Sequence, residues 1–93
     1  MNYNYFISYD LIAPGQRYDL VIEAIQQTGA WAKLEKSLYY VRSNLQLKAI
    51  TDHVRGAMDP NDKLVVIDAT SNAALTFNID PVAFQQMEKN WYA

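Results

Sequence analysis

Three side chains in the first part of the chain have types suited to phosphodiester chemistry: Asp10, Arg17 and Ser37. In "YFISYDLIAPGQRY", Tyr5 to Tyr18, an apolar run ends in one carboxylate, Asp10, and Arg17 follows a short turn. A carboxylate at a strand end can hold Mg²⁺, which commonly takes one or two carboxylates and keeps several waters. A guanidinium fork matches phosphate oxygens, and the Ser37 hydroxyl could donate to one. Each residue has a plainer reading. Asp10 can accept from turn amides in "IAPG", Arg17 can simply be solvated, and Ser37 can ease a bend between two strands. Arg17 at a helix start is opposed by the helix dipole, which favours negative charge there. A phosphate held between it and the first free amides would account for its position.

Other candidates are weaker. His53 is the only histidine, so one chain cannot form a histidine acid–base pair, and the residue reads as surface. Asp68 alternates with Val66 in "KLVVIDAT" and could reinforce a site at Asp10 or lie at a rim. The absence of cysteine removes disulfides and thiolate metal sites and fits a reducing, cytoplasmic setting. A net charge of −2 opposes tight binding to nucleic acid through phosphates alone. The first ten residues have no basic leader or small-residue cleavage site, so no signal peptide is expected. No apolar run approaches the roughly 18 residues of a membrane span.

The elements that must position these side chains follow from periodicity. Tyr3 to Leu11 predicts a strand with Tyr5, Ile7 and Tyr9 on one face and Asn4, Phe6, Ser8 and Asp10 on the other. Pro14 and Gly15 mark a turn. Tyr18, Val21, Ile22 and Ile25 then recur at helical spacing within about 16–28, with Gly29 as a C-terminal cap. Ala30 to Ser43 is too long for one ordinary strand, and a break at Lys36–Ser37 divides it into two pairing strands. Asn44 is expected to cap a second helix whose buried stripe is Leu47, Ile50, Val54 and Met58, ended by "DPND". Lys63 to Thr70 is a β-branched strand, and 71–79 is irregular or a weak extra strand. Asp80–Pro81 starts a terminal helix anchored by Phe84, Met87 and Trp91.

This order predicts a single α+β domain over 1–93, ferredoxin-like (β-α-β-β-α-β), with an antiparallel sheet and a C-terminal helical appendage. Its uncovered sheet face would carry Phe6, Ser8 and Val66. A partly apolar open face asks for a partner, with a second copy first among candidates and another protein next.

"ISYDL" (Ile7 to Leu11), Arg17, Gly29 before a strand and "KSLYYV" (Lys36 to Val41) together resemble a family pattern. The pattern is that of the small CRISPR-associated adaptation nuclease (Cas protein 2) and its relative, virulence-associated protein D. The resemblance runs from Tyr5 to about Asp68, and Lys36 stands where the family often has glutamine. It implies a homodimeric, Mg²⁺-dependent nuclease acting on RNA or DNA, in which two Asp10 carboxylates share one ion across the dimer axis. Such an ion would polarise a phosphodiester and activate water for in-line attack. A competing reading is a non-catalytic binding module. "KSLYYVRS" partly matches the base-stacking strand of an RNA-recognition motif, with Tyr39 and Tyr40 as the aromatics. A dimer that binds a protein through the open sheet face suits the acidic charge better than RNA binding does.

Overall fold

The alternation in the first strand decides the layering. In the computed structural model, which describes residues 2–11, 18–70 and 78–91, β1 (Tyr3–Asp10) buries Tyr5, Ile7 and Tyr9 on one face. It is followed by α1 (Tyr18–Gln26), β2 (Ala30–Glu35), β3 (Leu38–Ser43), α2 (Leu47–Arg55), β4 (Lys63–Asp68) and α3 (Pro81–Trp91). The protein is a small α+β structure with one four-stranded antiparallel sheet and three helices among the described residues. The strand order is β2-β3-β1-β4. No helix among the described residues is long and apolar enough to cross a membrane.

The break at Lys36–Ser37 falls where the sequence places it. β2 and β3 form a hairpin with a register irregularity between Lys33 and Glu35. Tyr5, Ile7 and Tyr9 of β1 and Tyr39 and Val41 of β3 meet Val21 and Ile25 of α1 and Ile50 and Val54 of α2 in the main core. α3 packs on the opposite sheet face, where Ala83 and Met87 meet Ala32, Leu34 and Tyr40. Asp80 starts that helix by accepting the Ala83 amide at 3.1 Å, as the Asp–Pro pair predicts.

Four expectations need correction. Asn44 does not cap α2: the helix begins at Leu47, Gln46 occupies the cap position without a side-chain bond, and Ser43 Oγ accepts the Leu45 amide. Leu47 is exposed rather than part of the buried stripe, and the helix starts two residues later than expected, with Leu47 as its first residue. Val66 registers with Ile7 and therefore shares the helix-covered face; Val65 and Ile67 point to the other side. Gly29 is not a left-handed cap, since its φ lies outside the left-handed region. The proposed weak strand falls largely on 71–77, outside the described residues, as do Pro14, Gly15 and Arg17.

The buried tyrosines set an alkaline limit on this core. Burial is the main cause that pushes Tyr5, Tyr9 and Tyr40 up to about 12; nearby charge on Asp68 adds to it for Tyr5 and Arg42 opposes it for Tyr40. Burial also raises Tyr39, with a Gln26 hydrogen bond pulling the other way. An unfolded tyrosine ionises near 10, so between about pH 10 and 12 the unfolded chain releases protons that the folded chain retains. Stability is therefore undiminished by these groups below about pH 10 and falls as pH rises through about 12. Denaturant midpoints measured from pH 8 to 12, alongside tyrosinate absorbance, should show both changes over the same window. Full tyrosinate absorbance near pH 10.5 in a still-folded protein would contradict it.

Candidate functional site

Asp10 is the last residue of β1, exposed, on the sheet face away from α1 and α2. Its neighbour across the ladder is Lys63, the first residue of β4. Direct neighbours on one face of an antiparallel pair have Cβ atoms about 4.5–5.5 Å apart, so the two side chains leave the sheet from adjacent positions on that face. The β2–β3 turn reaches the same end of the sheet: the Tyr9 amide donates to the Ser37 carbonyl at 3.2 Å. Asp10, Ser37 and Lys63 are thus gathered at one end of the central strands. Sequence reasoning missed Lys63, because only the β1–β4 register brings it there.

The other sequence candidates do not converge on that end. Asp68 registers with Tyr5 and so lies five residues from Asp10 along the ladder, roughly 17 Å at about 3.4 Å per residue. It also lies on the opposite face, which removes it as a reinforcement of Asp10. Its Oδ1 instead accepts from the Thr70 amide and hydroxyl. His53 is on the surface, with Nε2 3.0 Å from Gln27 Oε1, beside a groove between α1 and α2. Arg17 lies outside the described residues.

The aromatic platform of the RNA-binding reading is covered. Tyr39 faces the main core, and Tyr40 is fully buried beneath α3, stacked on Trp91 with ring centroids 5.7 Å apart. Phe6 also packs on Trp91, at 6.0 Å. Neither tyrosine presents a free face to a base.

A second feature of this face went unread in the sequence. The Asn4 side chain, 1% exposed, accepts from Tyr40 Oη at 2.6 Å and from Arg42 at 3.1 Å, and donates to the Trp91 carbonyl at 3.0 Å. It ties α3 to the sheet. In an alternating strand an outward asparagine reads as solvated, and nothing local signals that a distant helix will cover it.

Chemically, the Asp10 end offers one carboxylate for a hard cation and one ammonium for an anion. Among the described residues no three His, Cys, Asp or Glu side chains converge to hold a metal. An ion at Asp10 would therefore take most of its ligands from water or from a second chain, which suits Mg²⁺ better than Zn²⁺. The chain matches no protein-family model and no curated protein. The resemblance to the CRISPR adaptation and virulence-associated-D proteins therefore rests on the residues quoted for it.

Proposed function

We propose that this chain is a ferredoxin-like domain working as a homodimeric, Mg²⁺-dependent nuclease of the Cas protein 2-like and virulence-associated-D-like type, with Asp10 as the metal ligand. The observation that carries the reading is the exposed Asp10 at the end of a central strand, with the Ser37 turn and Lys63 at the same end. The strand order and the two helices on one face support the ferredoxin-like assignment. In this reading Asp10 would hold a hydrated Mg²⁺, which would supply Lewis-acid activation of the phosphodiester and of water. Lys63 grips a phosphate oxygen as a point charge, and Ser37 and Arg17 are further phosphate contacts.

Asp10→Asn keeps the shape of the side chain and removes its charge. It should lower Mg²⁺-dependent cleavage of single-stranded RNA or DNA by at least about 100-fold, of the order that removal of one electrostatic stabiliser costs. Because Asp10 is exposed, the melting temperature should stay close to that of the wild type. Wild-type protein that cleaves neither RNA nor DNA with Mg²⁺ or Mn²⁺ over a broad pH range would end the enzyme reading.

The runner-up is a non-catalytic binding module. The burial of Tyr40 and Phe6 under α3 disfavours base stacking. The exposure of Val65 and Ile67 favours a protein partner over RNA.

A further inference from the structure

We propose that β4 is the dimer seam, pairing antiparallel with β4 of a second copy about a two-fold axis at Val66, so that the two sheets become one. The inference rests on the homodimer of the proposed reading, names its interface, and replaces the ion shared by two Asp10 residues, which the resemblance implies, with one site per chain. It does not depend on what Asp10 does.

The two edges of the sheet are built differently. Proteins discourage pairing at sheet edges with central charges, prolines, bulges or a covering element. β2 has several of these devices: Lys33 near its middle, a register irregularity between Lys33 and Glu35, and α3 packed on one face. β4 has neither a central charge nor a register break among the described residues, and α2 covers only its inner face. Its central residues Leu64, Val65, Val66 and Ile67 carry no charge, and its register with β1 runs unbroken from Lys63 to Asp68. On its outer face Val65 is 54% and Ile67 53% exposed. Such a strand is left for another strand to pair with.

A second copy fits it for reasons of register and charge. In a continuous sheet, directly paired residues must point to the same face. An axis at Val66 satisfies this, setting Val65 beside the second copy's Ile67 and Ile67 beside its Val65. The two half-exposed pairs then form one stripe of four β-branched side chains, and such cross-strand pairs each contribute a favourable term. The ends complement each other as well. Lys63 of one chain arrives beside Ala69 and next to Asp68 of the other, and no like charges are opposed. Moving the axis to Val65 would set Lys63 directly against Ile67 and break the stripe. The Val66 axis also fixes the two Asp10 residues at opposite ends of the seam. Each registers with Lys63, three residues from the axis, so they stand at least roughly 20 Å apart along the strands. In this dimer each Asp10 would act alone, and no ion could be shared.

Sedimentation equilibrium at tens of micromolar should give twice the 10.7 kDa chain mass. The double variant Val65→Lys/Ile67→Lys should sediment as a monomer with wild-type circular dichroism and a nearly unchanged melting temperature. A monomeric wild type, or a double variant that stays dimeric, would overturn the seam. The chain has no cysteine, so register can be read by cross-linking. Val65→Cys mixed with Ile67→Cys should form a disulfide-linked heterodimer under mild oxidation, while each variant alone should link at least ten times more slowly. Equal linking by Val65→Cys alone, or no linking in the mixture, would overturn the register. Asp10→Asn should dimerise as the wild type does, which keeps this test separate from that of catalysis.

Discussion

Gly29→Ala should destabilise the protein by about 3 kcal/mol, at the upper end of what overpacking a tight site costs. A Cβ at this position would lie 2.1 Å from the Arg42 carbonyl oxygen and 2.9 Å from its carbon. Both are backbone atoms of β3, so no side chain can rotate out of the way. Relief would require the start of β2 to lift from β3, which loosens a ladder that both cores share. A urea titration should show a fall in midpoint with an unchanged slope, and the melting temperature should drop by more than about 10 °C. Gly56→Ala is the internal control. There a Cβ meets its nearest atom, the His53 carbonyl oxygen, at 3.4 Å, and the backbone is already right-handed helical. That substitution should be neutral or stabilise by about 0.5–1 kcal/mol through the unfolded chain. Equal effects at the two glycines would mean that close approach to β3 is not what Gly29 provides.

That contrast also shows what the sequence could and could not reveal. Gly29 stood out between a helical pattern and a strand, and its local surroundings suggested a cap. Its role is instead set by Arg42, which arrives only through the hairpin. The period-two alternation of β1 was legible because Tyr5, Ile7 and Tyr9 alternate with polar Asn4, Ser8 and Asp10. In β4 the same rule had nothing to act on. Leu64 to Ile67 are all apolar, so which two face outward depends on the register with β1, and Val66 was assigned to the wrong face.

The candidate site was half legible for the same reason. Asp10 announces itself as the first charge after an apolar run, and Ser37 as the middle of a hairpin break. Lys63 and Asp68 bracket one strand and look equivalent in the sequence. The antiparallel register brings Lys63 to Asp10 and carries Asp68 to the far end. Tyr40 was readable as a sheet aromatic but not as a covered one, because that depends on where α3 docks.

The docking of α3 should prove to depend on Asn4 more than on any single apolar side chain of that helix. Asn4→Leu preserves approximate size and removes the acceptor of Tyr40 Oη and Arg42 together with the donor to the Trp91 carbonyl. Tyr40 is fully buried, so its hydroxyl would be left without its acceptor under Trp91. A buried polar group deprived of its partner costs about 1–3 kcal/mol. With Arg42 and the Trp91 carbonyl also affected, we expect a loss of about 3 kcal/mol. Tyr40→Phe alone should cost only about 1 kcal/mol, the net worth of an ordinary hydrogen bond. In the double variant Asn4→Leu/Tyr40→Phe the orphaned hydroxyl no longer exists. Its loss should therefore be smaller than the sum of the single losses by at least about 0.5 kcal/mol, the coupling expected of residues in one network. Hydrogen exchange locates the effect: amides of α3 should lose protection in Asn4→Leu before those of α1 and α2, because the network joins α3 to the sheet and touches neither other helix. Strict additivity, or uniform loss of protection across all three helices, would show that Asn4 supports the sheet itself and that the apolar contacts of Met87 and Trp91 hold α3 in place.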